Sequence, residues 1–250
     1  MNITFVLLLF FAAFIPGVMV IMAKKQFKYH SGYFLVFAGA YIFSITIVHL
    51  LPEIFSKTAY PVKMGLFVLL GFFLQIFIDF LTSGVEHGHT HISREGPTKL
   101  SPLLLMIGLT IHAIMDGSIL AQPGSEDTTH ALHHSGGLLF GIIIHKIPAS
   151  AVLMSIMQWS IQKKQLLLAL LLIFSLASPF GLWAGNFLGQ SNFLGSESFL
   201  IIMALVSGNF LHISTTIFFE SSPDHHYNRK KILIGIIGAL LAILTEFFPF

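Results

Sequence analysis

The chain has 250 residues, of which 55% are hydrophobic and only 10% are charged. This balance is typical of membrane proteins rather than soluble domains, and it leaves no room for a separate soluble domain. A formal net charge of +2 argues against nucleic acid as a partner. Because cysteine is absent, a disulfide framework and a thiolate metal site are both excluded.

Eight apolar segments are long enough to cross a bilayer, which takes about 20 mostly apolar residues for a hydrocarbon core of about 30 Å. Unpaired strands cannot cross lipid, so all eight are predicted to be helices of one transmembrane domain covering 1–250. The first segment has no basic region ahead of it, so we interpret it as a span rather than a cleaved signal. Spans 1 to 8 are predicted at 3–23, 32–54, 62–84, 100–121, 136–158, 165–187, 197–219 and 232–248.

The Lys and Arg residues predict the orientation of the spans. With the N-terminus outside, the loops after spans 1, 3, 5 and 7 face the cytoplasm and hold most of these residues, which is the usual bias. They are Lys24, Lys25, Lys28, Arg94, Lys99, Lys163, Lys164, Arg229, Lys230 and Lys231. The outer loops hold only Lys57 and Lys63, and Lys146 lies within span 5. Both termini are therefore predicted to lie outside, in a bacterial inner membrane or a plasma membrane.

Spans 4 and 5 carry ionisable side chains where lipid makes them costly. His112 and Asp116 in span 4 are four residues apart and share a helix face, and Gly117 permits close helix approach. His112 lies about 18 Å and His145 of span 5 about 16 Å from the cytoplasmic side, so the two reach a similar depth. Ionisable groups kept at one depth predict a functional site, here a metal site. The alternative is that these three side chains only hydrogen-bond each other and lock the bundle.

Two further groups of polar residues are candidate stations on a metal path. His49 and Glu53 share a face where Pro52 is expected to end span 2, and they either receive metal or simply form an interfacial helix end. Asn209 and His212 in span 7 are three residues apart and either contact metal or join helices.

Histidine clusters flank the spans on both predicted sides of the membrane. The cytoplasmic loop 85–99 contains alternating histidines at His87, His89 and His91. The outer loop between spans 4 and 5 contains His130, His133 and His134. Short His-rich tracts bind divalent metals loosely, so these clusters are predicted to deliver and release metal, although solvated chance histidines would look the same.

Four motifs in order resemble the ZIP (Zrt-, Irt-like protein) family of metal transporters. They are H-L-L-P-E at 49–53, H-A-I-M-D-G at 112–117, H-K-I-P-A-S at 145–150 and G-N-F-L-H at 208–212. The resemblance implies an eight-helix bundle with an inverted repeat, spans 1–3 and 6–8, around spans 4 and 5, in which spans 1, 4, 5 and 6 move against the others. It also implies transport of divalent metal, zinc first, toward the cytoplasm. A homodimer is a common form in that family and stays open here.

Two departures from the family pattern bear on the number of metal ions. Ala149 stands where span 5 of the family usually has Glu, with Ser150 where Gly is usual, and Ser178 stands where bacterial members often have Glu. Family members that hold two adjacent metals bridge them with those carboxylates. The resemblance therefore implies one ion on His112, Asp116 and His145, with water, Ser178 or an oxygen from span 2 as a fourth ligand.

The residues suit several metals and leave other function classes open. Two histidines and a carboxylate suit Zn²⁺ and also Fe²⁺, Mn²⁺ or Co²⁺, each as a transported substrate rather than a prosthetic group. An intramembrane zinc-dependent hydrolase is the main alternative, because zinc with three ligands can activate water. That chemistry needs a separate general base, and spans 4 and 5 offer no second carboxylate. A metal sensor or a small-solute channel is the third alternative.

Overall fold

A computed structural model of the chain describes residues 2–23, 32–82, 101–121, 128–190, 197–220 and 229–247, and all regular elements in these ranges are helical. The helices are α1 (Ile3–Ala23), α2 (Gly32–Ile45), a π-helical turn (Thr46–Leu50), α3 (Leu51–Lys57), α4 (Pro61–Thr82), α5 (Ser101–Ser118), α6 (Thr128–Ser160), α7 (Lys164–Gln190), α8 (Ser198–Glu220) and α9 (Arg229–Phe247). The second predicted span is thus made of α2, the π turn and α3 in continuous succession.

Within these described ranges, six helical segments are long and apolar enough to cross a membrane. They are α1, the α2–α3 segment, α4, α6, α7 and α8. Large apolar side chains cover their outward faces, as on α4, where Phe73 and Phe80 are 61% and 79% exposed. The protein is therefore an all-α membrane protein. The remaining two predicted spans correspond to α5, whose apolar run Pro102–Ser118 is shorter, and to α9, which begins with three basic residues, so the count of eight stays a prediction.

The helices pack in two groups. The first group consists of α1, α5, α6 and α7, in which α5 packs on α7 and α1 packs on both α6 and α7. Its apolar core includes Ala13, Leu109, Leu153 and Phe174, one from each helix. The second group consists of α2–α3, α4, α8 and α9, in which α4 packs on α8 and α2 packs on both α9 and α8. A larger apolar cluster joins the two groups along α1, α2, α6 and α8.

Glycines bring the helices of each group into backbone contact. A Cβ atom added at Gly117 of α5 or Gly181 of α7 would overlap the facing backbone of the other helix. Gly71 and Gly208 have the same relation between α4 and α8. The prediction that Gly117 permits a close helix approach is confirmed. Ser178, which the sequence places near a metal site, lies directly against Gly117.

Two details of the predicted helix ends are wrong. Helix α6 begins at Thr128, so His130, His133 and His134 lie on a helix and not in a loop. The segment 128–135 contains neither Gly nor Pro, so nothing stops the helix from continuing beyond its apolar part. Pro52 does not end the second span, which stays helical to Lys57. Pro52 lies in the first turn of α3 after the π turn, where a missing amide hydrogen is tolerated.

Candidate metal centre

His112 and Asp116 lie on α5 and His145 lies on α6, and all three side chains are buried. Nε2 of His112 lies 3.4 Å from Oδ2 of Asp116, one helical turn away on α5. The rings of His112 and His145 are 5.7 Å apart between centroids and nearly perpendicular. Among the described residues, no three His, Asp or Glu side chains converge closely enough to hold a metal ion. The three side chains therefore lie near one another in pairs. They would have to shift locally before all three could bind one metal ion.

Asn209 of α8 contacts the centre from the second group. Its side-chain amide donates a hydrogen bond of 3.0 Å to Nδ1 of His112. An amide NH₂ only donates, so Nδ1 accepts, and the neutral His112 ring carries its proton on Nε2, the nitrogen that faces Asp116. Next to the His112 ring, two of the buried oxygens that the structure describes accept no hydrogen bond, Oδ1 of Asn209 and Oδ1 of Asp116. On each side of the His112 ring, one oxygen can therefore accept a further hydrogen bond.

Lys146 is part of the centre, although from the sequence it is only a cation within a span. Its side chain is buried, and its ammonium donates a hydrogen bond to the hydroxyl of Ser178. The ammonium also lies 5.4 Å from the ring centroid of Phe174, and its partner Ser178 packs against Gly117, the residue that follows Asp116. A lone lysine beside a histidine inside an apolar segment is itself a signal of function, and it could have been used.

Three positions differ from the ZIP pattern, and their side chains make structural contacts. They are Ala149, Ser150 and Ser178. Besides accepting from Lys146, the Ser178 hydroxyl donates a 2.5 Å hydrogen bond to the carbonyl of Ala113. Ser150 donates to a backbone carbonyl of α1, and Ala149 packs against the apolar core of the first group. Ser178 thus joins α6 and α7 to α5 beside His112, and its hydroxyl is already in use.

A second polar cluster lies at the far end of the α2–α3 segment. Nδ1 of His49 is 3.0 Å from Oε1 of Glu246 on α9, and Nε2 of His49 is 3.4 Å from Oε2 of Glu53. Lys57 also contacts Glu53, at 2.7 Å. His49 therefore bridges two carboxylates from different helices. Sequence reasoning missed Glu246, although the span directions predict that it lies on the same membrane side as Glu53.

The side chain of His212, on α8, contacts α4 rather than the metal centre. Its Nε2 lies 2.7 Å from Oδ2 of Asp79, and Gln75 donates a 2.7 Å hydrogen bond to the other oxygen of that carboxylate. This network joins α4 to α8 one turn beyond Asn209. The predicted loop 85–99, with His87, His89 and His91, lies outside the described residues.

Comparison with known proteins gives one distant similarity. No protein-family model matches the chain. The chain is 31% identical over 176 residues to Protein zntD of Dictyostelium discoideum, which covers 64% of this chain and 25% of that protein. The chain thus spans about a quarter of the length of this relative. The six long apolar helical segments of this chain independently indicate an integral membrane protein.

Proposed function

We propose that this protein transports divalent metal ions, zinc first, toward the cytoplasm through a site formed by His112, Asp116 and His145. The observation that carries the proposal is the burial of these adjoining side chains on two helices inside a membrane bundle. Two imidazoles and one carboxylate are ligands that zinc takes when it keeps an open position. The distant similarity to Protein zntD supports metal-ion transport in general, and the ZIP resemblance supplies the metal and the direction.

Asn209 gives His112 a way to switch between the empty and the metal-bound form. A metal on Nε2 needs a lone pair there, so the ring proton moves to Nδ1. Rotation of the Asn209 amide by half a turn then presents Oδ1 to that proton, and Oδ1 has no hydrogen bond among the described residues. Metal-binding histidines ordinarily donate their second N–H to such an oxygen, which fixes the ring.

The division into two helix groups supports a carrier mechanism. The three ligands lie on helices of the first group, which corresponds to spans 1, 4, 5 and 6, and Asn209 lies on the second. The packing also supports an inverted repeat. An inverted repeat would relate spans 1–3 to spans 6–8, and span 4 to span 5. It would therefore relate the α2–α9 contact to the α8–α4 contact, and the α1–α6 contact to the α7–α5 contact. All four of these helix–helix contacts are extensive. Movement of one group against the other would expose the centre to each side in turn.

The centre holds one metal ion at a time in this proposal. A second ion would require further carboxylates to offset its charge, and the two positions that could supply them are Ala149 and Ser178. Ala149 packs among apolar side chains, and Ser178 is engaged by Lys146. Calorimetric titration of the purified protein with zinc should therefore give one site at the centre, and two ions there would contradict this part.

Zinc uptake into proteoliposomes with a trapped fluorescent indicator tests the function. The variants His112→Ala and Asp116→Asn should lower uptake by about ten-fold or more, because each removes a ligand. His212→Ala and Asp79→Asn are the matched controls, since they change the same residue types in a network outside the centre, and they should retain uptake. Equal uptake in His112→Ala and His212→Ala would refute the proposed site. Competition with Fe²⁺, Mn²⁺ and Co²⁺ ranks the substrates.

A further inference from the structure

The centre contains a cation of its own, which the function proposed above does not use. Lys146 follows His145 on α6, and its buried ammonium is held by the Ser178 hydroxyl and the Phe174 ring. We propose that the Lys146 ammonium is a resident cation that balances Asp116 whenever the site is empty, so that the metal-free carrier can return across the membrane. This inference rests on the proposed transport function.

The empty site depends on Lys146 for its charge balance. Asp116 contributes one negative charge, and without Lys146 a buried carboxylate would move through the membrane unbalanced, which is strongly disfavoured. A carrier with such a site would have to take up another cation before it returned. With Lys146 in place, the empty site has a formal charge of zero, because the ammonium and the carboxylate cancel.

The position of Lys146 suits this role because the countercharge travels with the carboxylate. Asp116, Lys146 and Ser178 lie on α5, α6 and α7, which all belong to the first helix group. A movement of the first group against the second therefore carries both charges together. A charge on α8 or α4 would instead be left behind.

The same contacts keep the ammonium in place when a metal arrives. The Ser178 oxygen accepts from it, and the face of Phe174 attracts a cation, so Lys146 has anchors that are separate from the three metal ligands. A bound metal and the ammonium repel each other, which weakens metal binding and favours release. Removal of the positive charge should therefore tighten zinc binding while it slows the empty return.

Two transport measurements separate the empty return from the loaded steps. Net uptake into zinc-free proteoliposomes requires the empty carrier to return, whereas exchange of isotopically labelled zinc for zinc already inside does not. In Lys146→Met, net uptake should fall by about ten-fold or more, because an unbalanced buried charge enters the barrier of the return step. Exchange should persist, and calorimetry should show tighter zinc binding. Lys63→Met, which removes an exposed lysine of α4, is the control and should change none of these.

The variant Lys146→Gln distinguishes the charge from the hydrogen bond, and it keeps a polar side chain if methionine is not tolerated. Glutamine still donates to Ser178 but carries no charge, so it should behave like methionine. Normal net uptake in either variant would overturn the inference, and so would an equal loss of net uptake and exchange. Absence of zinc exchange in the unmodified protein would instead refute the transport function itself.

Discussion

Replacement of Gly117 by alanine should force α5 and α7 apart beside the metal centre. Gly117 lies against the backbone of Ser178, and an added Cβ would stand 2.7 Å from the carbonyl carbon and 2.9 Å from the Cα atom of that residue. Carbon atoms in ordinary contact are about 3.5–4.0 Å apart. Both atoms belong to the backbone of a helix, so no side-chain rotation relieves the overlap.

The geometry gives the size of the effect. Relief of the overlap moves α7 away by about 1 Å. The hydrogen bond from Ser178 to the Ala113 carbonyl, now 2.5 Å, would stretch to about 3.5 Å and be lost. Overpacking costs about 1–3 kcal/mol and the hydrogen bond about 1 kcal/mol, so the free energy of unfolding should fall by roughly 2–4 kcal/mol.

Denaturant unfolding of the purified protein in detergent, followed by tryptophan fluorescence, measures this loss. Gly65→Ala on α4 is the matched control, because a Cβ there has no atom within 4 Å. That control should be neutral or gain up to about 1 kcal/mol, since alanine favours a helix over glycine. Coincident unfolding curves for the two variants would refute the close approach of α5 and α7.

Two further substitutions test contacts elsewhere in the bundle. Asn209→Ala removes the group that orients the His112 ring, so zinc affinity measured by calorimetry should fall by about 10–100-fold, and an unchanged affinity would show that Asn209 does not fix the ring. Tyr41→Phe removes hydrogen bonds of 2.8 Å to the carbonyl of Gly137 and 3.0 Å to Thr245. It should lower the free energy of unfolding by about 1 kcal/mol without altering zinc affinity, and unfolding that matches the unmodified protein would contradict the role of these bonds.

The helices and the His112–Asp116 pair could be predicted because both depend on residues that are close together in the sequence. Apolar runs locate the buried length of each helix, although they do not locate ends that continue into water, as at Thr128. The spacing of four places His112 and Asp116 on one face whatever lies around them. The proximity of His145 to His112 could be predicted from their similar depths in the membrane, which the positions of the apolar segments determine.

The partners of Lys146, Asn209 and Glu246 could not be predicted from the sequence. Each of these contacts joins two different helices, and it depends on the rotation of each helix about its axis. Hydropathy constrains depth but leaves that rotation open, especially where apolar residues cover all sides of a helix. The predicted span directions would put Glu246 on the same membrane side as Glu53, but only the structure brings it to His49.

The π-helical turn at Thr46–Leu50 separates the orientation of the C-terminal end of its span from that of the N-terminal part. One extra residue in the turn changes the angular position of everything beyond it by about 100°. Pro52 has no amide hydrogen and so cannot become the donor of the same turn shifted along by one residue. The step is therefore fixed in place, and it directs Ile54 into the core while Glu53 meets His49. Deletion of a single residue here would leave the span helical yet point its C-terminal end in a different direction.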